Sequence, residues 1–217
     1  MSSIFIFGAT GGVGSRLAPM LVEQGHTVRG LHRQSEQATQ LKAQGVTPVK
    51  GDIMLMEQAD FTTVTQGCDV LVFSAGAAGS GLERTAGIDG QGVIKMIEAA
   101  KANGIKRVYL VSAFMDAGRD KPRKDGFEFY MRTKREADNA LVASQLDWVI
   151  VRPGTLVTED GDGMVNANYA IPYGNVARGN VAKTLAKLID TPQICREIIE
   201  ITDGDIPVDK AINALVR

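Results

Sequence analysis

The sequence predicts an α/β protein: a doubly wound parallel sheet of about seven strands, with helices on both faces in three layers. Three observations predict it. Short apolar runs alternate along the chain with segments of helical periodicity, the pattern of parallel strands joined by right-handed crossovers. The first of these runs, Ile4-Phe5-Ile6-Phe7, is apolar without alternation, as a strand buried on both faces must be. It leads directly into Gly8-Ala9-Thr10-Gly11-Gly12-Val13-Gly14, after which Leu17, Met20, Leu21 and Val22 recur at helical spacing, so the glycines occupy a strand-to-helix turn.

The remaining elements follow in order. Gly25 is the stop signal of the first helix. Residues 26–33 form a second strand ending in His32 and Arg33. Ser35 to Gln44 is a polar-faced helix stopped by Gly45, and 46–50 is a short third strand followed by Gly51-Asp52-Ile53. The fourth strand, 69–73, runs into the small residues Ser74-Ala75-Gly76-Ala77-Ala78-Gly79. A long helix spans about Arg84 to Ala102, closed by Asn103-Gly104. The fifth strand, 107–112, carries Ser112 at its carboxyl end. A helix runs from Phe127 to about Ser144. The sixth strand, 147–151, ends in Arg152-Pro153-Gly154-Thr155, and the seventh covers 198–202. No repeat, low-complexity tract or linker interrupts this, so residues 1–217 are expected to form one domain. Its least regular stretches, 116–126 and 155–179, both follow strand carboxyl ends and should frame a substrate mouth.

Composition narrows the function classes. With 24 basic and 25 acidic residues the net charge is −1, which gives no general affinity for nucleic acid or an anionic membrane. No apolar run approaches the ~20 residues that span a bilayer. Met1-Ser2-Ser3-Ile4 enters the first strand without a basic leader, so a cytoplasmic location is expected. Cys68 and Cys195 form no metal or redox motif, and His26 and His32 stand at no metal spacing, so no metal is expected. Cys68 suits a small buried hydrophobe.

The glycine turn carries the first chemistry. A glycine there can take φ > 0, and a backbone without Cβ lets a phosphate approach closely. The helix that opens after it presents unpaired N–H groups and the positive end of its dipole. A pyrophosphate fits such a site, with Gly14 letting the helix pack on the strand. In dinucleotide folds an acidic residue about 20 positions on selects NAD. Here Arg33 stands at that place beside His32, and a guanidinium suits a 2′-phosphate, so NADP(H) is favoured over NAD(H). Asp52 could accept from an adenine amine and Ile53 could pack on the ring. Tyr130 and Lys134, four apart, project from one helix face. An ammonium lowers a nearby phenol's pKa, so the pair makes a proton donor and acceptor for a carbonyl or alcohol.

With these residues in view the chain resembles the short-chain dehydrogenase/reductase superfamily, and more narrowly its atypical compact NAD(P)-binding group, which includes NmrA-like and flavin-reductase-like proteins. The resemblance runs nearly end to end, over Gly8 through Gly14, Gly51-Asp52, Tyr130 through Lys134, Val151-Arg152-Pro153-Gly154 and Thr202-Asp203-Gly204-Asp205-Ile206-Pro207. It implies a Rossmann fold and places the cofactor against Gly8, Thr10, Gly11, Gly12, Val13, Gly14, His32, Arg33, Asp52, Ile53, Ser74, Ala75, Gly76, Val111, Lys134, Pro153, Gly154 and Thr155. Ser112, Tyr130 and Lys134 fall on the catalytic positions. The loop after the fourth strand lacks the usual asparagine and the interval from Ser112 to Tyr130 is long; a small, shallow site without the substrate domain of extended members is expected.

The resulting expectation is an NADP(H)-dependent oxidoreductase that moves hydride between the nicotinamide and a small carbonyl- or alcohol-type substrate, as a monomer or homodimer. The alternatives are a non-catalytic dinucleotide sensor and a flavin or quinone reductase using only the open cofactor face. Phe114, Met115, Phe127, Met164 and Tyr169 suggest an apolar lining. Asp203 and Asp205 suit turns. Arg132, Arg135, Glu136 and Asp138 describe a wet helix face, from which Lys134 is exempt.

Overall fold

The computed structural model describes residues 1–119, 122 and 124–217; residues 120, 121 and 123 of the expected mouth stretch 116–126 lie outside them. The amino-terminal half runs β1 (Ser3–Phe7), α1 (Gly14–Glu23), β2 (Thr27–His32), α2 (Ser35–Ala43), β3 (Thr47–Lys50), α3 (Gln58–Val64) and β4 (Val70–Phe73). A short helix α4 (Leu82–Arg84) widens into a π-helical segment, Thr85–Gly92, and continues as α5 (Val93–Ala102). Then come β5 (Arg107–Val111), α6 (Asp125–Val142), β6 (Asp147–Pro153), β7 (Thr155–Val157), β8 (Met164–Asn168), β9 (Asn175–Ala177), α7 (Arg178–Ile189), β10 (Glu197–Asp203), β11 (Ile206–Pro207) and α8 (Val208–Asn213).

All seven expected strands are present, in the order β3-β2-β1-β4-β5-β6-β10, every pair parallel. Their continuous apolar runs have a simple cause. In β1, Ile4 and Ile6 enter one core with Val70, Val72, Tyr109 and Val149, while Phe5 and Phe7 enter the other with Leu71, Phe73, Leu110 and Ile150. The first core lies under α1, α7 and α8, and the second under α3, α5 and α6. Both faces are covered, so both alternating sets of positions in the central strands β1 and β4 are apolar.

The sheet extends beyond the expected strands. Antiparallel β8 pairs with β10, and β11 pairs with β8, giving nine strands; β7 and β9 form a separate parallel pair. The stretch 155–179 is therefore not irregular. Its strands escape sequence reading because they are short and half polar: Met164–Asn168 buries only Val165 and Ala167, with asparagines between and after them. The two edge strands each hold a proline, Pro48 in β3 and Pro207 in β11. Cys68 is buried, as expected. His26 Nε2 lies 3.0 Å from Asp190 Oδ1 across the fold. Among the described residues no helix is long and apolar enough to cross a membrane, and no cluster of His, Cys, Asp and Glu could hold a metal.

Candidate functional site

Strand order reverses between β1 and β4, and their carboxyl ends part there, which is where open α/β sheets bind ligands. A cleft of about 720 Å³ opens at this point. The glycine turn forms its floor. Gly8 has φ +89°, and a Cβ on it would lie 2.5 Å from the Ala75 nitrogen. A Cβ on Gly14 would land on the Gly8 carbonyl. The first turn of α1 is thus pressed against the end of β1 by backbone alone. The Gly12 and Val13 amides have no protein acceptor among the described residues, and Val13 caps α1 without a side-chain bond. Free amides, a helix start and room for a backbone-close ligand are what a diphosphate requires.

Gly14→Ala tests the packing. The obstacle is backbone and not a side chain that can swing away, so stability falls by about 2–3 kcal/mol and the melting temperature by roughly 5–10 °C. An unchanged melting curve would contradict this account of the turn.

At one end of the cleft, Arg33 is half exposed, and its nearest carboxylate, Asp52 Oδ2, is 4.0 Å away. The other Asp52 oxygen accepts from the Met54 amide at 3.0 Å. Gln37 Oε1 accepts from the Arg33 and Gln34 amides and fixes the turn that carries the arginine. His32 lies beneath, with Nδ1 3.0 Å from the Gln34 carbonyl. Ile53 lines the same end. Ser74, Ala75 and Gly76 form the middle of the wall, with Ser74 Oγ donating to the Phe7 carbonyl at 3.2 Å.

The other end brings together Ser112, Tyr130 and Lys134, all lining the cleft. It also holds a residue missed in the sequence, Asp89. The π-helical segment carries this carboxylate inward, 1 % exposed. Asp89 Oδ2 accepts from the Ala77 amide at 3.0 Å, and Oδ1 lies 3.7 Å from Lys134 Nζ. Lys134 also donates to the Val111 carbonyl at 2.9 Å. Burial pushes the Asp89 carboxyl up and the Lys134 ammonium down, and each partly restores the other's charge. The expected lowering of Tyr130 is therefore not obtained. Burial, with Asp89 and Asp138 adding negative charge, raises the phenol well above its ordinary value.

Asp138 corrects the wet-face reading. It is 1 % exposed, and its Oδ2 accepts from Arg152 Nε and Nη2 at 3.0 and 2.9 Å. Burial raises its pKa, while Ser112 and Arg152 pull it down. Ser112 Oγ and Asp138 Oδ1 are both buried without a hydrogen-bond partner among the described residues, so the serine makes no hydrogen bond to Tyr130. Arg132, Arg135 and Glu136 do face solvent. Tyr130, Lys134 and Asp138 share one stripe at spacing four, a signal that runs one residue further than the Tyr–Lys pair.

Some expected positions do not reach the cleft. Pro153, Gly154 and Thr155 do not line it; the next residue, Leu156, does. Thr155 Oγ1 instead meets the Tyr173 hydroxyl at 2.5 Å. Gly14 acts from behind the loop. Of the suggested apolar lining only Phe127 reaches the wall, joined by Leu82. Phe114 is buried edge-on to Tyr173, and Tyr169 packs against the core. Sequence reasoning also missed Arg84 and Arg178, both on the wall.

Comparison with known proteins accords with this geometry. Residues 8–192 match a family described as NAD(P)H-binding. The chain is 34% identical over 214 residues to a Bacillus subtilis protein named as an uncharacterized sugar epimerase, YhfK, covering 98% of this chain and 99% of that one. A solved Bacillus halodurans structure, provisionally named an NAD-dependent epimerase/dehydratase, superposes with a TM-score of 0.90 at 31% identity, covering 99% of this chain and 100% of that one. The oxidoreductase ylbE from Lactococcus lactis superposes at 0.83 with 26% identity, covering 98% and 96%.

Proposed function

This chain belongs to the NAD(P)H-binding family, and from that premise we propose that it is an NADP(H)-dependent oxidoreductase acting on a small carbonyl- or alcohol-type substrate. The observation that carries the reading is one cleft holding the glycine turn, Arg33 and the Tyr130–Lys134 stripe together. Gly8, Thr10, Gly11, Gly12 and Val13 would hold the diphosphate, Arg33 the 2′-phosphate, and Asp52 and Ile53 the adenine. When bound, the nicotinamide supplies the hydride chemistry. The chain's own part is to position the substrate and move a proton. Tyr130 donates its phenolic proton to the substrate oxygen in the reducing direction. Lys134, held by Asp89 and the Val111 carbonyl, keeps positive charge beneath that oxygen. Ser112 orients the substrate.

Titration with NADPH and NADH, followed by NADPH consumption over a panel of aldehydes, quinones and free flavin, tests the reading. Absence of binding heat with either cofactor would overturn it. Arg33→Asp tests the cofactor preference. Loss of a charge-assisted contact should weaken NADPH by about 10–100-fold and leave NADH unchanged; an equal effect on both would remove Arg33 from the 2′-phosphate. A second reading, dinucleotide sensing without turnover, is favoured by Lys134's engagement with Asp89 and by Ser112, whose hydroxyl makes no hydrogen bond to Tyr130. It expects binding with no consumption of NADPH across the panel.

A further inference from the structure

We propose that Arg178 is a second contact for the dinucleotide's diphosphate, supplied from α7 and not from the glycine turn, so that the carboxyl-terminal part of the chain helps hold the cofactor. This rests on the cofactor reading above. Arg178 is the first residue of α7 and lines the cleft. Its side chain lies across the glycine turn: a Cβ on Gly12 would stand 2.5 Å from Arg178 Cδ and 2.7 Å from Nε.

Two arginines flank Gly12, and their states differ. Arg16 is fully engaged, with Nε 2.7 Å from Asp160 Oδ1, Nη1 donating to the Gly12 carbonyl at 2.8 Å and Nη2 to the Thr158 carbonyl at 2.6 Å. Arg178 makes one hydrogen bond among the described residues, from Nη1 to Thr158 Oγ1 at 3.1 Å, and forms no ion pair there. A guanidinium carries five N–H donors in a planar fork suited to phosphate oxygens. Most of this one's are unused, it is half buried, and it overhangs the turn whose Gly12 and Val13 amides also lack acceptors. A dianionic diphosphate is the ligand that satisfies both sets at once.

The arginine is presented from a fixed backbone. Ala177, just before it, donates its amide to both Asp203 oxygens at 3.0 and 3.1 Å, and Asp203 Oδ1 also accepts from Asn180 Nδ2 at 2.8 Å. Behind it, the Asp160 carbonyl occupies the space a Cβ on Gly179 would take. The contact therefore needs little ordering on binding. Through Thr158 it also ties the diphosphate to the segment after β7, whose Leu156 lines the cleft.

The test uses two cofactor fragments. ADP-ribose carries the diphosphate without the 2′-phosphate, and adenosine 2′-monophosphate carries the reverse. By titration calorimetry, Arg178→Ala should weaken ADP-ribose on the order of tenfold, with partial recovery in Arg178→Lys, and leave adenosine 2′-monophosphate unchanged. Arg33→Asp should show the opposite pattern. The inference is overturned if Arg178→Ala binds ADP-ribose like the wild type, or loses both fragments equally, which would mark a structural role. A wild type that binds neither fragment nor NADPH overturns the cofactor reading and this inference with it.

Discussion

Tyr130→Phe is expected to lower turnover by about 10²–10⁴-fold while the dissociation constant for NADPH stays at its wild-type value. The substitution removes one hydroxyl and keeps the ring, which lies 6.3 Å from Phe127, so the helix face and the cleft wall are preserved. The direction of proton flow follows from the environment. Burial raises the phenol's pKa, and negative Asp89 and Asp138 raise it further. Tyr130 is therefore protonated throughout the neutral range, ready to donate when a carbonyl is reduced. Alcohol oxidation needs the phenolate. That rate should climb with pH and show no plateau below the ordinary phenol value of about 10, whereas reduction should be flat near neutrality. Steady-state rates in both directions across pH check this. A Tyr130→Phe protein with full turnover would assign the chemistry to the open cofactor face alone, as in a flavin or quinone reductase.

Asp89→Asn is expected to cost about 3–5 kcal/mol of folding stability, because it leaves a buried ammonium without its counter-charge. The melting temperature should fall by roughly 6–20 °C. The pH dependence distinguishes this from simple loss of packing. Burial already lowers the Lys134 pKa, and Asp89 is the first of the charges that restore it. Without Asp89 the folded pKa drops further below the unfolded value of about 10.4. Between those two values the unfolded chain binds more protons than the folded one, so stability of the variant rises with pH and is lost as pH falls through the lowered lysine pKa. Asp89 itself contributes the opposite slope in the wild type. Its folded pKa is raised, so its contribution is present below the unfolded carboxylate value and fades as pH rises through the folded one. The substitution removes that acid-side slope. Denaturant titrations at several pH values read both effects; a variant whose stability curve is parallel to the wild type's would refute the ion-pair account.

The centre of the parallel sheet was legible because β1, β4, β5 and β6 are buried on two sides, so composition alone marks them. The edge was not. Asn166 and Asn168 interrupt the apolar signal of β8, and only pairing with β10 makes that stretch a strand. The glycine turn was legible because Gly8 and Gly14 answer a backbone constraint that leaves a trace in sequence. Asp89 left a weaker trace. It sits on the inward face of a helix otherwise apolar there, between Ile88 and Val93, and a charge at a buried position is itself a sign of a site. Arg178 left none, since its meaning comes from a crossing of α7 over a turn more than 160 residues earlier.

The prolines at the two margins of the sheet bear on how the molecule behaves in a crowd. An imino acid offers no hydrogen to a strand arriving from outside, and β11 is only two residues long. Neither flank is a template on which a neighbour's chain can add and propagate. Addition of a neighbour's strand at either margin of the nine-stranded sheet is therefore disfavoured.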